Sequence, residues 1–495
     1  MTAQYPKDFL RAQFVGKSLN DASIVTPAVV LDVAKIEINC NRMLEASEKL
    51  QLSWRAHVKT HKTEEGTRLQ VGDKASSPVN IIVSTVTEAE KLLPLLQEYQ
   101  SKGRQVNVLY SFPLYPSCLA RLAALSASLG PQAVTVMIDH ADQVPYLTAL
   151  WRHPGAHPPL VFLKVNVGSN RAGVVPDTPA CAALVDALLA SEARGDSVLL
   201  GLYTHAGHSY ATRQDWEAMG ILGEEFSCLK RVATLVKAKR AATTTTSTTT
   251  ESAPLVLSVG ATPTATTIQH PALTGMNGTN GVLDDGGEAK GPELLTVAPT
   301  AQLQALIRSL KAEGFTLEVH AGVYPTLDLQ QLAAHARDAT VLNAGLIAVS
   351  VLADVASLYA GRGPGGAAEA LVNAGCLALG REPCEDRGAP PGAHYGAWGI
   401  VAPWGEAAGT PAPGPDFPAV HAGWQVAKIS QEHGVLRWVG RAEDEVRLRV
   451  GQRVRIWPNH SCITGAGHGW YLVVDSRNAG REDEVVDVWP RMNGW

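Results

Sequence analysis

The sequence predicts an α/β fold in which a closed (β/α)8 barrel of the TIM type is followed by a mostly-β domain. From Thr26 to about Ala353, short apolar runs rich in β-branched residues, such as Val134–Ile138, alternate with helical patterns. Apolar strands that alternate with helices are typical of a parallel sheet covered on both faces. About eight such units favour a barrel, with an open doubly wound sheet as the alternative. After about Gly375 the chain has β-rich stretches separated by turn residues, which indicates the second domain.

The predicted elements follow one another in the order that a barrel requires. The strand-like runs are Val29–Leu31, Ile81–Val83, Val106–Tyr110, Val134–Ile138, Leu160–Val165, Val198–Tyr203, Val256–Val259, Leu317–His320 and Val341–Ala344. Helix-period segments such as Ala34–Lys49 and Glu88–Gln100 lie between them. The β domain is expected to hold strands at Trp424–Ser430, Val446–Val450, Arg453–Trp457, Tyr471–Asp475 and Glu484–Trp489.

These patterns also predict the domain boundaries. We expect the barrel to span residues 23–370 and the β domain to span residues 371–495, with residues 1–22 joining the β domain. Two polar stretches, near residues 237–251 and 269–294, are expected to be insertions in the barrel. Such tracts bury too little apolar surface to offset the entropy lost on ordering.

The composition excludes several classes of protein. The 42 Lys and Arg residues are fewer than the 47 Asp and Glu residues, so no basic surplus exists to neutralise a nucleic-acid backbone. No apolar run reaches the roughly 20 residues that span a bilayer, and the N-terminal segment lacks the layout of a signal peptide. The seven cysteines form no framework. We therefore expect a cytoplasmic enzyme with neither a nucleic-acid nor a membrane partner.

The most unusual local pattern is RAHVKTHK at residues 55–62, which places two lysines and two histidines at a predicted strand end. A lysine at the carboxyl-terminal mouth of a barrel, partly desolvated among other cations, would have a lowered pKa and could form a Schiff base. A solvated basic turn is the alternative reading of the same residues.

Three further segments place polar residues at predicted strand ends. Gly260–Thr264 combines small residues and hydroxyls, which allow backbone amides to approach a phosphate. Lys164–Gly173 contains Arg171 next to glycines, and Gly201–Tyr210 ends with histidine and tyrosine. Each segment alone is compatible with an ordinary loop, but polar clusters at successive strand ends are typical of a barrel active site.

The β domain contains a candidate metal pair in the segment PNHSC. His460 and Cys462 are two residues apart, so both side chains can lie on one side of an extended segment and bind one cation, with zinc favoured. Two protein ligands leave coordination positions open, as in a catalytic site. An ordinary turn without metal is the alternative.

The ordered segments RAHVKTHK, KVNVGSNRAG, GLYTHAGHSY, VGATPT, EVHAGVYPTLDLQ, SQEHG and PNHSC resemble those of the eukaryotic D-serine dehydratases. These enzymes share the fold of alanine racemase, called fold type III among pyridoxal-phosphate enzymes, with the D-threonine aldolases. The resemblance extends from about Thr26 to Trp495 and is interrupted by insertions. It implies pyridoxal 5'-phosphate and Zn²⁺ as cofactors, a D-amino acid substrate and a homodimer.

The resemblance assigns site residues by motif. Lys59 matches the Schiff-base lysine, Arg171 the arginine at the pyridine nitrogen, and Tyr203 the tyrosine beside the cofactor. Gly260 and Thr262 match the phosphate-binding turn. The sequence departs from the family pattern at Ala261, Asn166 and Val323, where serine, aspartate and asparagine are common.

The remaining matches concern the metal and the substrate. His460 and Cys462 match the zinc ligands, and the cysteine favours a dehydratase because the related aldolases typically have aspartate there. His205 and Tyr210 are expected to contact the substrate. The implied reaction converts D-serine to pyruvate and ammonia, with Lys59 as base and zinc assisting departure of the hydroxyl. The alternatives are a D-threonine aldolase or another D-3-hydroxy amino acid lyase of the same fold, a racemase, or a non-catalytic pyridoxal-phosphate-binding protein.

Overall fold

The computed structural model describes residues 6–243, 253–274, 293–386, 390, 393–405 and 416–495. Contacts divide the chain into two compact units. We call them the barrel unit, formed by Arg42–Lys59, Gln70–Gly322 and Gly494–Trp495, and the sheet unit, formed by Met1–Asn41, Thr60–Leu69 and Val323–Asn493.

The secondary-structure elements are numbered in chain order. The strands are β1 Ala28–Asp32, β2 Ser53–His57, β3 Val79–Val83, β4 Val106–Pro113, β5 Val134–Ile138, β6 Leu160–Lys164, β7 Val198–Tyr203, β8 Val256–Val259, β9 Thr316–Ala321, β10 Val349–Tyr359, β11 Glu369–Val372, β12 Gly399–Val401, β13 Gly423–Ile429, β14 Gly434–Val439, β15 Arg453–Pro458, β16 Trp470–Val474 and β17 Val485–Pro490. The helices are α1 Lys7–Phe14, α2 Val33–Lys49, α3 Glu64–Val71, α4 Val86–Ser101, α5 Leu119–Leu129, α6 Val144–Trp151, α7 Pro179–Ala193, α8 Asp215–Thr243, α9 Thr262–Thr266, α10 Pro271–Thr274, α11 Glu293–Ala312, α12 Leu329–Ala333, α13 Cys376–Leu379 and α14 Ser461–Ala466.

The predicted barrel is confirmed. Strands β2 to β9 pair in sequence order and close on themselves, and every pairing is parallel. Every residue of β5 and β6 is buried, as expected for strands covered on both faces. One apolar cluster of the barrel strands consists of Ile82, Leu109, Met137, Phe162 and Tyr203. Because parallel strands end at one rim, residues that follow their carboxyl ends are brought together there.

Local sequence explains where the barrel helices begin. Thr85 precedes α4 and forms a capping box with Glu88, in which each side chain bonds the other residue's backbone amide. Thr178 accepts a hydrogen bond from the amide of Cys181 at the start of α7, and Pro179 is the first helical residue. The predicted helices Ala34–Lys49 and Glu88–Gln100 are thus present, as α2 and α4.

Two runs predicted as barrel strands lie elsewhere. Val29–Leu31 belongs to β1, which pairs with β10 and β16 in the sheet unit, and the barrel instead uses Ser53–His57 as its first strand. Val341–Ala344 forms a turn and the start of a 3-10 helix. A buried apolar run reads the same in either sheet, so periodicity alone could not assign β1.

The sheet unit contains a nine-stranded sheet in the order β11-β14-β13-β12-β15-β10-β1-β16-β17. Its pairings are antiparallel except that of β1 with β16. One apolar core joins the N-terminal segment to this sheet and consists of Leu10, Phe14, Leu19, Ile24, Val30, Leu352, Leu472, Val474, Val485 and Val488. The expected strand Val446–Val450 is irregular, and the carbonyl of Val446 accepts a hydrogen bond from the Trp424 indole.

The boundary between the units differs from the expected one at residue 370. Residues 323–370 belong to the sheet unit, because β10 pairs with β1, β11 and β15 and not with a barrel strand. Of the expected insertions, residues 237–243 complete α8, while residues 244–252 and 275–292 lie outside the described part of the chain. No helix among the described residues has the length and apolar character needed to cross a membrane.

Candidate active site

Lys59 lies just beyond the carboxyl end of β2 and is half-buried. The amide of Val58 still donates to the carbonyl of Ile82, at 3.1 Å, so the pairing with β3 continues to the residue before the lysine. A Cβ atom placed on Gly322 would be 3.5 Å from the Cε atom of Lys59. The structure therefore places Lys59 at the carboxyl-terminal rim of the barrel, where the sequence predicts it.

Three histidines lie at the same rim. Burial lowers the pKa of His57, His205 and His320 well below 6.5, and nearby positive charge lowers it further. That charge comes from Lys59 and Arg171 for the first two histidines, and from Lys164 and Arg55 for His320. All three rings are therefore neutral at physiological pH. A rim with cationic residues and neutral imidazoles favours an anionic ligand.

Hydrogen bonds fix the tautomer of each ring. Nδ1 of His57 is 3.1 Å from the carbonyl oxygen of Ile82, and Nδ1 of His205 is 2.7 Å from that of Gly260. A carbonyl oxygen only accepts, so both Nδ1 atoms carry the proton. Nδ1 of His320 is 3.0 Å from the hydroxyl oxygen of Ser258, which already donates its own proton to another residue. In each neutral ring Nε2 is consequently an acceptor.

Tyr203 and His320 stack on each other at this rim. Their rings stack with centroids 4.2 Å apart and an angle of 11° between planes. Burial raises the pKa of the Tyr203 phenol, which keeps it protonated. Ser258, which contacts Nδ1 of His320, donates its hydroxyl proton to Glu318, and Glu318 forms a buried salt bridge of 2.7 Å with Arg55. The stack is thus connected to a polar network of the barrel strands.

Lys164 and Arg171 supply positive charge to the same rim. Lys164 is 5% exposed, and its Nζ atom lies 4.7 Å from the centroid of the Tyr203 ring. Burial and the charge of Arg171 lower the pKa of Lys164 to about 8. Arg171 itself is exposed and lies on the loop after β6. Lys164 lies in a motif that the sequence singles out, but its burial became visible only in the structure.

The loop that carries Arg171 is held by an asparagine. Oδ1 of Asn166 accepts hydrogen bonds from the amides of Gly168 and Asn170, at 3.0 and 3.1 Å. Gly173 has φ = +112°, and a Cβ there would be 2.7 Å from the Asn166 nitrogen, so only glycine fits. Asn166 therefore holds this turn.

Gly260 begins the predicted phosphate-binding turn. Its φ is +140°, and a Cβ atom would lie 2.3 Å from the carbonyl oxygen of His320, so glycine is required. Its amide donates to Glu225 at 3.1 Å, and its carbonyl accepts from His205. The buried Thr262 follows as the first residue of α9. Gly260 thus shapes the turn, while its own amide is bonded to protein.

The predicted metal ligands lie in the sheet unit. His460 precedes α14 and Cys462 is its second residue. Burial lowers the pKa of His460, but hydrogen bonding to Cys462 and nearby negative charge outweigh it and raise the pKa to about 9. Nδ1 of His460 is buried and has no hydrogen-bond partner among the described residues. An imidazole and a thiol are ligand types that a borderline cation such as zinc prefers, and the imidazole here has one nitrogen without a hydrogen-bond partner among the described residues.

Neighbouring residues hold this pair. The amide of Ser461, between the two ligands, donates to Asp328 at 2.9 Å, and the Ser461 hydroxyl is 2.8 Å from that of Thr326. The Thr60 hydroxyl lies 3.1 Å from the Cys462 sulfur, and Thr60 directly follows Lys59 in the sequence. In the part of the chain that the structure describes, no group of three or more His, Cys, Asp or Glu residues could hold a metal ion.

The two predicted substrate residues differ in their surroundings. His205 lies at the rim described above. Tyr210 is half-buried on the 3-10 helix Gly207–Ala211, where its carbonyl accepts a hydrogen bond from Arg213 at 3.1 Å. Glu225, which the sequence did not single out, is fully buried on α8. Its neighbour Glu224 is exposed, so no local signal separates the two.

Comparison with known proteins identifies relatives along the whole chain. Residues 31–270 match the alanine racemase N-terminal domain, and residues 348–474 match a putative serine dehydratase domain. The chain is 33% identical to D-serine dehydratase of Schizosaccharomyces pombe, covering 99% of this chain and 96% of that one. It is 30% identical to D-serine dehydratase of Saccharomyces cerevisiae, covering 98% and 99% of the two chains.

Solved structures show the same fold. The structure of D-threo-3-hydroxyaspartate dehydratase from Delftia sp. HT23 is similar, with 25% identity, a TM-score of 0.66 and coverage of 97% of this chain and 100% of that one. D-threonine aldolase from Filomicrobium marinum has 19% identity, a TM-score of 0.63 and coverage of 99% and 98%. The alanine-racemase-like architecture that the motifs imply is thereby confirmed. The chain belongs to the eukaryotic D-serine dehydratase family of lyases.

Proposed function

We propose that this chain is a D-serine dehydratase that depends on pyridoxal 5'-phosphate and zinc and releases pyruvate and ammonia. The observation that carries the proposal is the arrangement of residues at the barrel rim. The chain that has this rim is similar over its full length to D-serine dehydratases. At this rim the stacked Tyr203 and His320 lie at the carboxyl ends of β7 and β9, and Lys59 and the Gly260 turn follow the ends of β2 and β8.

The proposed cofactor site uses residues that fit an anionic aromatic group. Lys59 would hold pyridoxal phosphate covalently, and the turn from Gly260 to Thr262 would receive its phosphate. Tyr203 would lie beside the ring and Arg171 at its nitrogen. When bound, the cofactor supplies an electron-withdrawing ring that stabilises negative charge at the substrate Cα atom.

The residues of the chain then have distinct tasks. The Nζ atom of Lys59, once released, takes the proton from the Cα atom of D-serine. His205 donates through Nδ1 to Gly260, so its Nε2 can only accept, and it suits the hydroxyl or ammonium group of the substrate. The same argument excludes His205 as a donor to the substrate carboxylate. Tyr210 is proposed as a second substrate contact.

The proposed zinc site uses His460 and Cys462. A zinc ion there would act as a Lewis acid that helps the β-hydroxyl group of the substrate to leave as water. The unpartnered Nδ1 of His460 and the nearby negative charge support a cation at this position. Homodimerisation and a cytoplasmic location, which the resemblance and the composition favour, remain predictions.

A substrate assay on the purified protein tests the function. We expect the visible absorbance of bound pyridoxal phosphate, pyruvate from D-serine, and loss of turnover after chelation that zinc restores. If the protein still turns over D-serine after chelation has removed all of its zinc, the metal has no part in the proposed reaction. Glycine and acetaldehyde from D-threonine without pyruvate from D-serine would indicate an aldolase, and absorbance without turnover would indicate a binding protein.

A further inference from the structure

A buried glutamate joins two strand ends of the barrel. Glu225 on α8 is fully buried, and its Oε1 atom accepts hydrogen bonds from two backbone amides. One belongs to Ala206, at 3.0 Å, just after β7, and the other to Gly260, at 3.1 Å, just after β8. A single carboxylate oxygen therefore bridges two neighbouring segments of the rim.

This bridge continues the connection between the strands beyond the end of their ladder. The last register pair of β7 and β8 is Tyr203 with Ser258, and the Thr204 amide still donates to the Ser258 carbonyl at 3.0 Å. Past this point, side chains link the strands. Glu225 accepts a hydrogen bond from the amide of Gly260, and Nδ1 of His205 donates one to the carbonyl of Gly260. Both main-chain groups of Gly260 are thus fixed by protein.

The turn that follows is fixed in the same way. The amide of Ala261 donates to the Thr264 hydroxyl at 2.9 Å, which closes the first turn of α9. Once the backbone of Gly260 is oriented, the direction in which the remaining turn faces is determined. Without the Glu225 acceptor, the Gly260 amide would be buried and unsatisfied, and the turn would have to move to satisfy it.

The charge of Glu225 is unfavourable for stability alone. Burial raises the pKa of Glu225 to about 7, although the Thr264 hydroxyl, the two amides and the charge of Lys164 lower it. Burial of this acid costs free energy of desolvation, and its hydrogen bonds to the two amides offset part of that cost. The same two bonds orient the backbone at the start of the turn.

We propose that Glu225 is a positioning residue that fixes the turn from Gly260 to Thr264 in the conformation that binds the phosphate group of the cofactor. This inference rests on the proposed binding of pyridoxal phosphate at that turn. It assigns Glu225 no contact with the cofactor or substrate. Its effect on binding should therefore depend on the phosphate group of the ligand.

The test compares two ligands on the full-length protein freed of cofactor. Absorbance titrations measure the Kd of pyridoxal 5'-phosphate and of pyridoxal, which lacks the phosphate. For Glu225→Leu we expect the Kd of pyridoxal phosphate to rise at least about tenfold and that of pyridoxal to change less than about twofold. Glu225→Gln keeps a weaker acceptor and should give an intermediate, phosphate-specific loss.

Glu224→Gln is the matched control, because Glu224 is the exposed neighbour on the same helix, and it should change neither Kd. Equal losses for both ligands in Glu225→Gln, or none, would overturn the inference. If Glu225→Leu fails to fold, as judged by circular dichroism, the Gln variant decides. Wild-type protein that binds neither ligand would instead overturn the proposed function, and this inference with it.

Discussion

The barrel rim and the candidate metal pair, His460 and Cys462, present opposite electrostatic environments to histidine. At the rim, burial and the charges of Lys59 and Arg171 keep His57 and His205 neutral by lowering each pKa. At the metal pair, Cys462 and nearby negative charge raise the pKa of His460 to about 9 despite burial. The first environment suits an anion and the second a cation. The difference shows that the surroundings, not the residue type, decide which ligand a histidine favours.

The two regions also differ in whether their buried polar groups have hydrogen-bond partners. Gly260 has both backbone groups bonded, whereas Nδ1 of His460 lacks a hydrogen-bond partner in the described residues. The rim is therefore preorganised by the protein itself. The metal pair is expected to reach its final geometry only when an ion completes it.

The largest expected effect comes from removing the cation at the rim. Lys59→Ala should lower kcat/KM for D-serine by ~10⁴ or more, because it removes the group proposed to hold the cofactor and to move the α-proton. It should also raise the pKa of His57 and His205, since the nearby positive charge is gone. Lys59→Arg retains the charge and should abolish activity without that rise. NMR titration of the histidines would contradict the assignment if both variants gave the same pKa values.

Removal of the thiol tests the second environment. Cys462→Ala should lower turnover of D-serine by about 10³, since a Lewis acid contributes several kcal/mol to such a step. The visible absorbance of the cofactor should persist, and zinc per chain should fall. Cys376→Ala is the matched control, because Cys376 is equally half-buried in the sheet unit. Loss of the cofactor absorbance in Cys462→Ala would show that the two regions do not bind their ligands independently.

The pH dependence of stability reports on the buried acid of the rim. The pKa of Glu225 is raised from 4.5 to about 7, so its contribution is fully present below pH 4.5 and is lost as the pH rises through 7. Glu225→Gln does not titrate there. Relative to wild type, its free energy of unfolding should therefore improve by up to about 3 kcal/mol between pH 4.5 and pH 8. Urea denaturation measures this difference, with Glu224→Gln at the exposed neighbouring position as the control.

The smallest effect concerns the Thr60 hydroxyl beside Cys462. Thr60→Val keeps the shape but removes a donor to the thiolate, and zinc affinity should fall about tenfold, as for other residues that support metal ligands. Thr60→Ser retains the hydroxyl and should restore the affinity. Competition with a chromogenic chelator measures both. Equal affinity in all three proteins would show that the contact does not tune the site.

The sequence predicted more of the fold than of the domain boundaries. The barrel followed from apolar strands alternating with helices, and seven of the runs named from the sequence overlap strands β3 to β9. The prediction that Val29–Leu31 is a barrel strand is wrong, because the apolar pattern of a strand does not indicate which strand it pairs with. Pairing of β10 with β1 and β15 likewise moved residues 323–370 to the sheet unit.

The candidate site shows the same limit: residue types can be read from the sequence, but burial and contacts cannot. From residue type and order, the motifs predict a set of site residues: Lys59, Arg171, Tyr203, Gly260, Thr262, His460 and Cys462. They could not reveal Glu225, since it differs from Glu224 only in burial. Nor could they reveal that Lys164 is buried against Tyr203 or that the stacked His320 carries its proton on Nδ1.

By itself, then, the sequence determined the barrel and the family and predicted the reactive groups, because periodicity and motif order are local properties of the chain. Only the tertiary structure decided which groups are neutral, which tautomers they adopt and which acid is buried. Burial, hydrogen bonding and the sum of nearby charges depend on residues far apart in sequence, as Glu225 with Gly260 and Thr60 with Cys462 show.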